Sequence, residues 1–294
     1  MSLRRVDERL EESLDIDRRS SLEIVRIIQE QDRGVADAVS AEADQIAHAI
    51  DQIVERLLHG GRLFYAGAGT SGRIALLDAS ELPPTYGIDP ALVRVLMAGG
   101  DRAWTAAVEG AEDDEEAAID NVNREVKADD ALVGVAASGT TPFTVAAVRR
   151  ANMLGALTVG VTSIPGSPLA REVDIAIVPQ TGPEVIMGST RMKSGTAQKM
   201  VLNTISTGVM IRLGRVFSNL MIDMPATNEK LRDRAVRMVE MAAGVPRPAA
   251  VQAIRDAEGS VKLAAVMAKK NLAAGEARQL LERHHGNLRE VLES

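Results

Sequence analysis

The chain has 294 residues, 46% of them hydrophobic, enough to bury a full α/β core and to carry helices beyond one domain. A net charge of -7 and an aromatic content of 2% argue against a nucleic-acid partner, because a polyanion is repelled and bases lack stacking platforms. The absence of cysteine excludes disulfide frameworks, thiolate nucleophiles and cysteine-based zinc sites together.

Met1 to Glu8 carry arginines with no apolar stretch behind them, and no segment has the ~18 uninterrupted apolar residues of a membrane helix. The expectation is a cytoplasmic protein with no membrane partner. From about Ser21 to His59 apolar residues recur at helical spacing, which predicts two helices, with Gly60-Gly61 ending the second.

Strand-like runs then alternate with helical ones, near 62–66, 92–97, 131–136, 157–162 and 174–178. That alternation predicts an α/β fold with a five-stranded parallel sheet between two helical layers. The first run feeds Gly67-Ala68-Gly69-Thr70-Ser71-Gly72, a glycine loop tipped by two hydroxyls and suited to a phosphate at a helix start. The same letters fit a dinucleotide fingerprint, but the second run ends in Ala98-Gly99-Gly100, where a ribose-binding carboxylate would be needed.

The third run leads into a second hydroxyl-rich loop, Ser138-Gly139-Thr140-Thr141. Two such loops at strand ends suggest one phosphomonoester gripped from two sides. Between them lies an acidic run, Glu109 to Glu116, which taken alone reads as a solvated first turn of a helix. Further on, Ser189 or Thr190 is expected to cap a long helix reaching about Leu213, where Gly214 stops it. From Thr227 onward only helical patterns remain, broken by Gly244-Val245-Pro246-Arg247-Pro248 and by Gly275 and Gly286. The divisions read from this pattern are an N-terminal helical segment (1–55), an α/β domain that carries both hydroxyl loops (56–224) and a C-terminal helical bundle (225–294).

The motifs Gly67 to Arg73, Asp78-Ala79-Ser80-Glu81-Leu82-Pro83-Pro84-Thr85, Thr181-Gly182-Pro183-Glu184 and Gly188 to Lys199 closely resemble N-acetylmuramic acid 6-phosphate etherases, a family of the sugar isomerase (SIS) fold. The resemblance runs from about Ser20 to the C-terminus, where the tail is similar to a ubiquitin-associated-like module. Two departures stand out. Leu82 sits where the family usually has Cys, which implies that no thiol is needed for turnover, and the segment before Leu14 lacks the usual pattern.

The resemblance implies a lyase that removes D-lactate from N-acetylmuramic acid 6-phosphate, by elimination and then water addition, in cell-wall amino sugar recycling. It implies Glu81 as acid and Glu112 as the base for the sugar C2 proton, with Glu81 the less solvated of the two. Gly69, Thr70, Ser71, Ser138, Gly139, Thr140 and Thr141 are expected to bind substrate, with Glu184 in a secondary role. The reaction needs no metal and no organic cofactor, and the family usually forms homodimers. Aldose–ketose isomerisation with Glu184 as base, and a non-catalytic sugar-phosphate sensor, are the alternatives. For the serines and threonines ordinary helix capping is the plain reading, Arg73 and Lys193 are charges near the loops or solvated helix residues, and His48, His59, His284 and His285 show no ligand spacing.

Overall fold

The computed structural model describes residues 6, 8–226 and 228–294; most of the stretch on which the N-terminal expectation rests lies outside them. The chain divides into two compact units, Met1–Ala79 with Ala91–Thr207, and Ser80–Pro90 with Gly208–Ser294.

The first unit opens with α1 (Ser21–Ser40) and α2 (Ala43–Leu58). Ser20 starts α1 with a reciprocal cap: its hydroxyl accepts the Glu23 N–H, and the Glu23 carboxylate takes the Ser20 N–H at 2.9 Å. Gly60, at φ +88°, ends the second helix as its sequence position predicts. Five parallel strands follow, β1 (Leu63–Gly67), β2 (Val93–Met97), β3 (Ala131–Val135), β4 (Leu157–Val161) and β5 (Ile175–Ile177), in the order β2-β1-β3-β4-β5. Each of the five lies on its expected run. β1, β3 and β4 are buried at every residue, as strands covered on both faces must be.

The alternation of side chains along β1 separates the two faces. Phe64 and Ala66 join one buried cluster with Phe143 and Val148 of α5 (Pro142–Met153) and Val122 of α4 (Glu115–Glu125). Tyr65 points the other way and donates its hydroxyl to Asp78 Oδ2 at 2.8 Å, on α3 (Gly69–Tyr86). Asp78 Oδ1 accepts from Asn203 Nδ2 at 2.6 Å and Ser206 Oγ at 2.9 Å, both on α7 (Lys193–Arg212). Three donors converge on this buried carboxylate, so α3 and α7 are locked to each other and to the central strand. The short α6 (Pro168–Glu172) precedes β5.

In the second unit α8 (Glu229–Ala243), α9 (Arg247–Asp256), α10 (Val261–Lys270), α11 (Ala274–Arg283) and α12 (Leu288–Glu293) surround an aliphatic core that includes Val239, Ala250, Val266 and Val291. Gly244 and Gly286 stand at breaks as expected, whereas Gly275 is the second residue of α11. Lys262 donates to Asp223 at 2.8 Å in a largely buried pair. Among the described residues no helix is long and apolar enough to cross a membrane.

Candidate active site

The strand order places β1 and β3 side by side, with the chain leaving their C-terminal ends into the two hydroxyl loops. This is the point at which connections diverge to opposite sides, where open α/β sheets bind ligands. Each loop passes directly into a helix, α3 after the first and α5 after the second, so two helix N-termini meet there.

The first loop depends on glycine for closeness. A Cβ on Gly67 would stand 2.9 Å from the nitrogen of Gly72, and one on Gly72 would stand 2.7 Å from the carbonyl oxygen of Gly67. Side chains at either position would push α3 off the strand. In the second loop Gly139 takes φ +66°, and a Cβ there would collide with the hydroxyls of Ser167 and Thr162.

Between the loops lies a cavity of about 420 Å³, lined by Gly69, Thr70, Ser71, Glu112, Ser138, Thr140 and Thr141 together with Ala68, Ala137, Ile164, Gly188, Thr190 and Val6. Its hydroxyls are only partly committed elsewhere. Thr141 occupies the position before α5 without making a side-chain cap bond. Thr140 Oγ1 donates to Ser138 Oγ at 2.9 Å, and Ser71 Oγ donates to Gln198 Oε1 at 3.0 Å. Plain helix capping therefore does not account for Ser71 or Thr141.

Glu112 reaches the cavity from a short 3-10 turn, Ala111–Asp113, not from the first turn of α4, which begins at Glu115. Arg73 orders the segment before it. Its Nε donates to the carbonyl of Ala103 at 3.1 Å and its Nη2 to that of Ala106 at 2.9 Å. Arg73 is thus a charge beside the first loop held by backbone carbonyls, not a solvated helix residue.

Other candidates stand apart from the cavity. Glu81 lies on α3, within the Ser80–Pro90 stretch that belongs to the second unit, and does not line the cavity. Both Glu81 and Glu112 are exposed in the single chain, so burial does not separate an acid from a base there, contrary to the sequence expectation. Gly139 shapes its loop without lining the space.

Glu184 is fully buried, and its two oxygens accept the backbone N–H groups of Lys193 and Ser194, each at 3.0 Å. It caps α7, the task expected of Ser189 or Thr190. A carboxylate is the stronger acceptor at a helix N-terminus, and the loop before α7 carries it there from outside the local sequence. Lys193, also buried, donates from Nζ to Gln31 Oε1 at 3.1 Å. Desolvation lowers its pKa, against the opposing pull of Glu184, Asp32 and Glu12. Among the histidines, His59 contacts its own helix through the carbonyl of Glu55.

Gln198 is the residue that the sequence reading passed over. It is 2% exposed, on α7 behind the first loop. The available signal was an amide three and four residues before the apolar Val201 and Leu202, on the buried face of that helix.

The chain is similar to known proteins over most of its length. A model for the glucokinase regulatory protein N-terminal SIS domain matches residues 45–152, and a SIS domain model matches residues 105–207. The chain is 60% identical over 258 residues to an N-acetylmuramic acid 6-phosphate etherase of Symbiobacterium thermophilum, covering 88% of this chain and 86% of that relative. It is 49% identical over 288 residues to the etherase of the same name from Clostridium beijerinckii, covering 98% and 95%. A phosphoheptose isomerase structure from Francisella tularensis superposes with a TM-score of 0.50 at 22% identity, covering 64% of this chain and 100% of that one, a likeness of fold alone.

Proposed function

The chain belongs to the N-acetylmuramic acid 6-phosphate etherase family, and from that premise we propose that it binds its substrate's phosphate between the two hydroxyl loops and eliminates the D-lactyl ether with Glu112 and Glu81. It is a carbon–oxygen lyase: N-acetylmuramic acid 6-phosphate and water give N-acetylglucosamine 6-phosphate and D-lactate. The observation that carries the proposal is the cavity itself, where Thr70, Ser71, Ser138, Thr140, Thr141 and Glu112 share one wall-to-wall space.

An unactivated ether is a poor leaving group. In the open-chain sugar, however, the C3 ether lies β to the C1 aldehyde. Glu112 takes the C2 proton, the electron pair moves into the C2–C3 bond as the C3–O bond breaks, and Glu81 gives a proton to the departing lactyl oxygen. Water then adds at C3 of the unsaturated aldehyde. Phosphate held by hydroxyls and two helix N-termini keeps the reacting carbons in place while the ring is open.

Glu81 does not line this chain's cavity, which supports a homodimer in which it serves the partner's. Leu22 and Val25 of α1, exposed at 59% and 46%, offer apolar surface to such a contact. The enzyme works in the cytoplasm on this reading, since a sugar phosphate stays in the compartment where it is phosphorylated. An isomerase with Glu184 as base is disfavoured, because both oxygens of that carboxylate already hold backbone N–H groups in a fully buried setting.

Lactate release from the purified protein tests the assignment. Glu112→Gln and Glu81→Gln are each expected to lower kcat by about 10²- to 10⁴-fold with unchanged melting temperature. Wild-type turnover in both variants, or a ketose phosphate product without lactate, overturns it.

A further inference from the structure

We infer that Gln198 is a positioning residue for phosphate binding, acting through Ser71 by handing it a hydrogen bond and so releasing the serine proton to the ligand. The inference deepens the proposed function and rests on its placing of the phosphate at Ser71.

Two observations carry it. Ser71 Oγ lines the cavity yet donates its proton away from it, to Gln198 Oε1 at 3.0 Å. A hydroxyl has one proton, so in this arrangement Ser71 has only lone pairs left to offer, and a phosphate wants donors. At the same time Gln198 Nε2 is buried without a hydrogen-bond partner among the described residues. A buried, unpaired amide donor is costly, more so than an under-satisfied carbonyl oxygen.

One rotation resolves both conflicts. Turning the Gln198 amide by half a turn puts Nε2 where Oε1 stands, so that it donates to Ser71 Oγ. The orphan donor then has its acceptor, and the group left under-satisfied is a carbonyl oxygen. Ser71 becomes acceptor to glutamine and donor to the phosphate oxygen, a charge-assisted bond. The exchange moves no backbone and breaks no covalent bond. Gln198 projects from α7, which the Asp78 cluster holds against α3, so the amide stays in register with the loop it serves.

The experiment compares kcat and KM for lactate release, together with the inhibition constant of inorganic phosphate, in Ser71→Ala, Gln198→Met, Gln198→Glu and the double variant Ser71→Ala/Gln198→Met. Ser71→Ala is expected to raise KM and the phosphate inhibition constant together by roughly 10- to 100-fold, the range for a hydrogen bond to a charged group, with kcat little changed. Gln198→Met is expected to raise both by about 3- to 10-fold, and to add less than about 2-fold once Ser71 is alanine.

Gln198→Glu keeps the shape but can only accept, so it holds the serine proton and is expected to raise KM at least as much as Ser71→Ala. A packing role predicts instead a wild-type KM for that near-isostere, with any loss confined to the melting temperature. An unchanged KM in Ser71→Ala removes the phosphate from this loop and overturns both readings. A raised KM in Ser71→Ala with no change in Gln198→Met, or with fully additive effects in the double variant, overturns the role of Gln198 alone. Should Gln198→Glu fail to fold, the methionine variant and its double carry the same decision.

Discussion

Lys193 shows how a single side chain can be held for its place and not its charge. Its ammonium is buried and donates to the neutral Gln31, and desolvation outweighs the pull of Glu184, Asp32 and Glu12, so its pKa falls below the ordinary 10.5. The folded state therefore binds this proton less tightly than the unfolded state does. Stability is expected to rise with pH between the lowered value and about 10.5, and to be flat in this respect below that window. Urea midpoints measured across pH 8 to 10.5 check this, and Lys193→Met is expected to flatten the rise. A rise unchanged in that variant assigns it to another group. The sequence offered Lys193 as a charge near the loops or a solvated helix residue, because the depth at which a lysine lies depends on elements as remote as Gln31.

Elements were legible where the signal was local. Strand runs, the two glycine loops and the stops at Gly60 and Gly244 all sit within a few residues of their structural expression. The start of α7 was not, since its cap comes from Glu184, nine residues before Lys193, across a loop with no helical pattern. Removing that carboxylate leaves the Lys193 and Ser194 N–H groups without their acceptor in a dry setting. Glu184→Ala is expected to cost about 2–3 kcal/mol in urea denaturation, and Glu184→Gln, which keeps one acceptor oxygen, less than half of that. A wild-type midpoint in Glu184→Gln, which fills the same space, would reassign Glu184 to packing. The same distance rule hid Arg73 and Gln198, whose partners, Ala103 to Ala106 and Ser71, are brought to them only by the tertiary fold.

For the molecule as a whole, the site as read from motifs is assembled in part: Glu112 and the hydroxyl loops share a cavity, and Glu81 does not line it. If Glu81 serves a second copy, complementary defects repair each other. Glu81→Gln and Glu112→Gln chains, unfolded together and refolded at equal concentration, are expected to recover about a quarter of wild-type sites, since half the pairs are mixed and each mixed pair regenerates one intact site. No recovery places both carboxylates in a single chain.

The unit that holds Gly208–Ser294 also includes Ser80–Pro90, a stretch in the first third of the chain that no composition shift announces. The order of manufacture then matters. As the polypeptide leaves the ribosome, residues 80–90 emerge long before the last helices they belong with. At about 5–20 residues per second the wait is on the order of 10–40 s. Throughout that interval the far end of α3 must be tolerated in water or shielded by a chaperone, and a nascent chain stalled before its final helices will hold a phosphate loop on a helix that is still half at large.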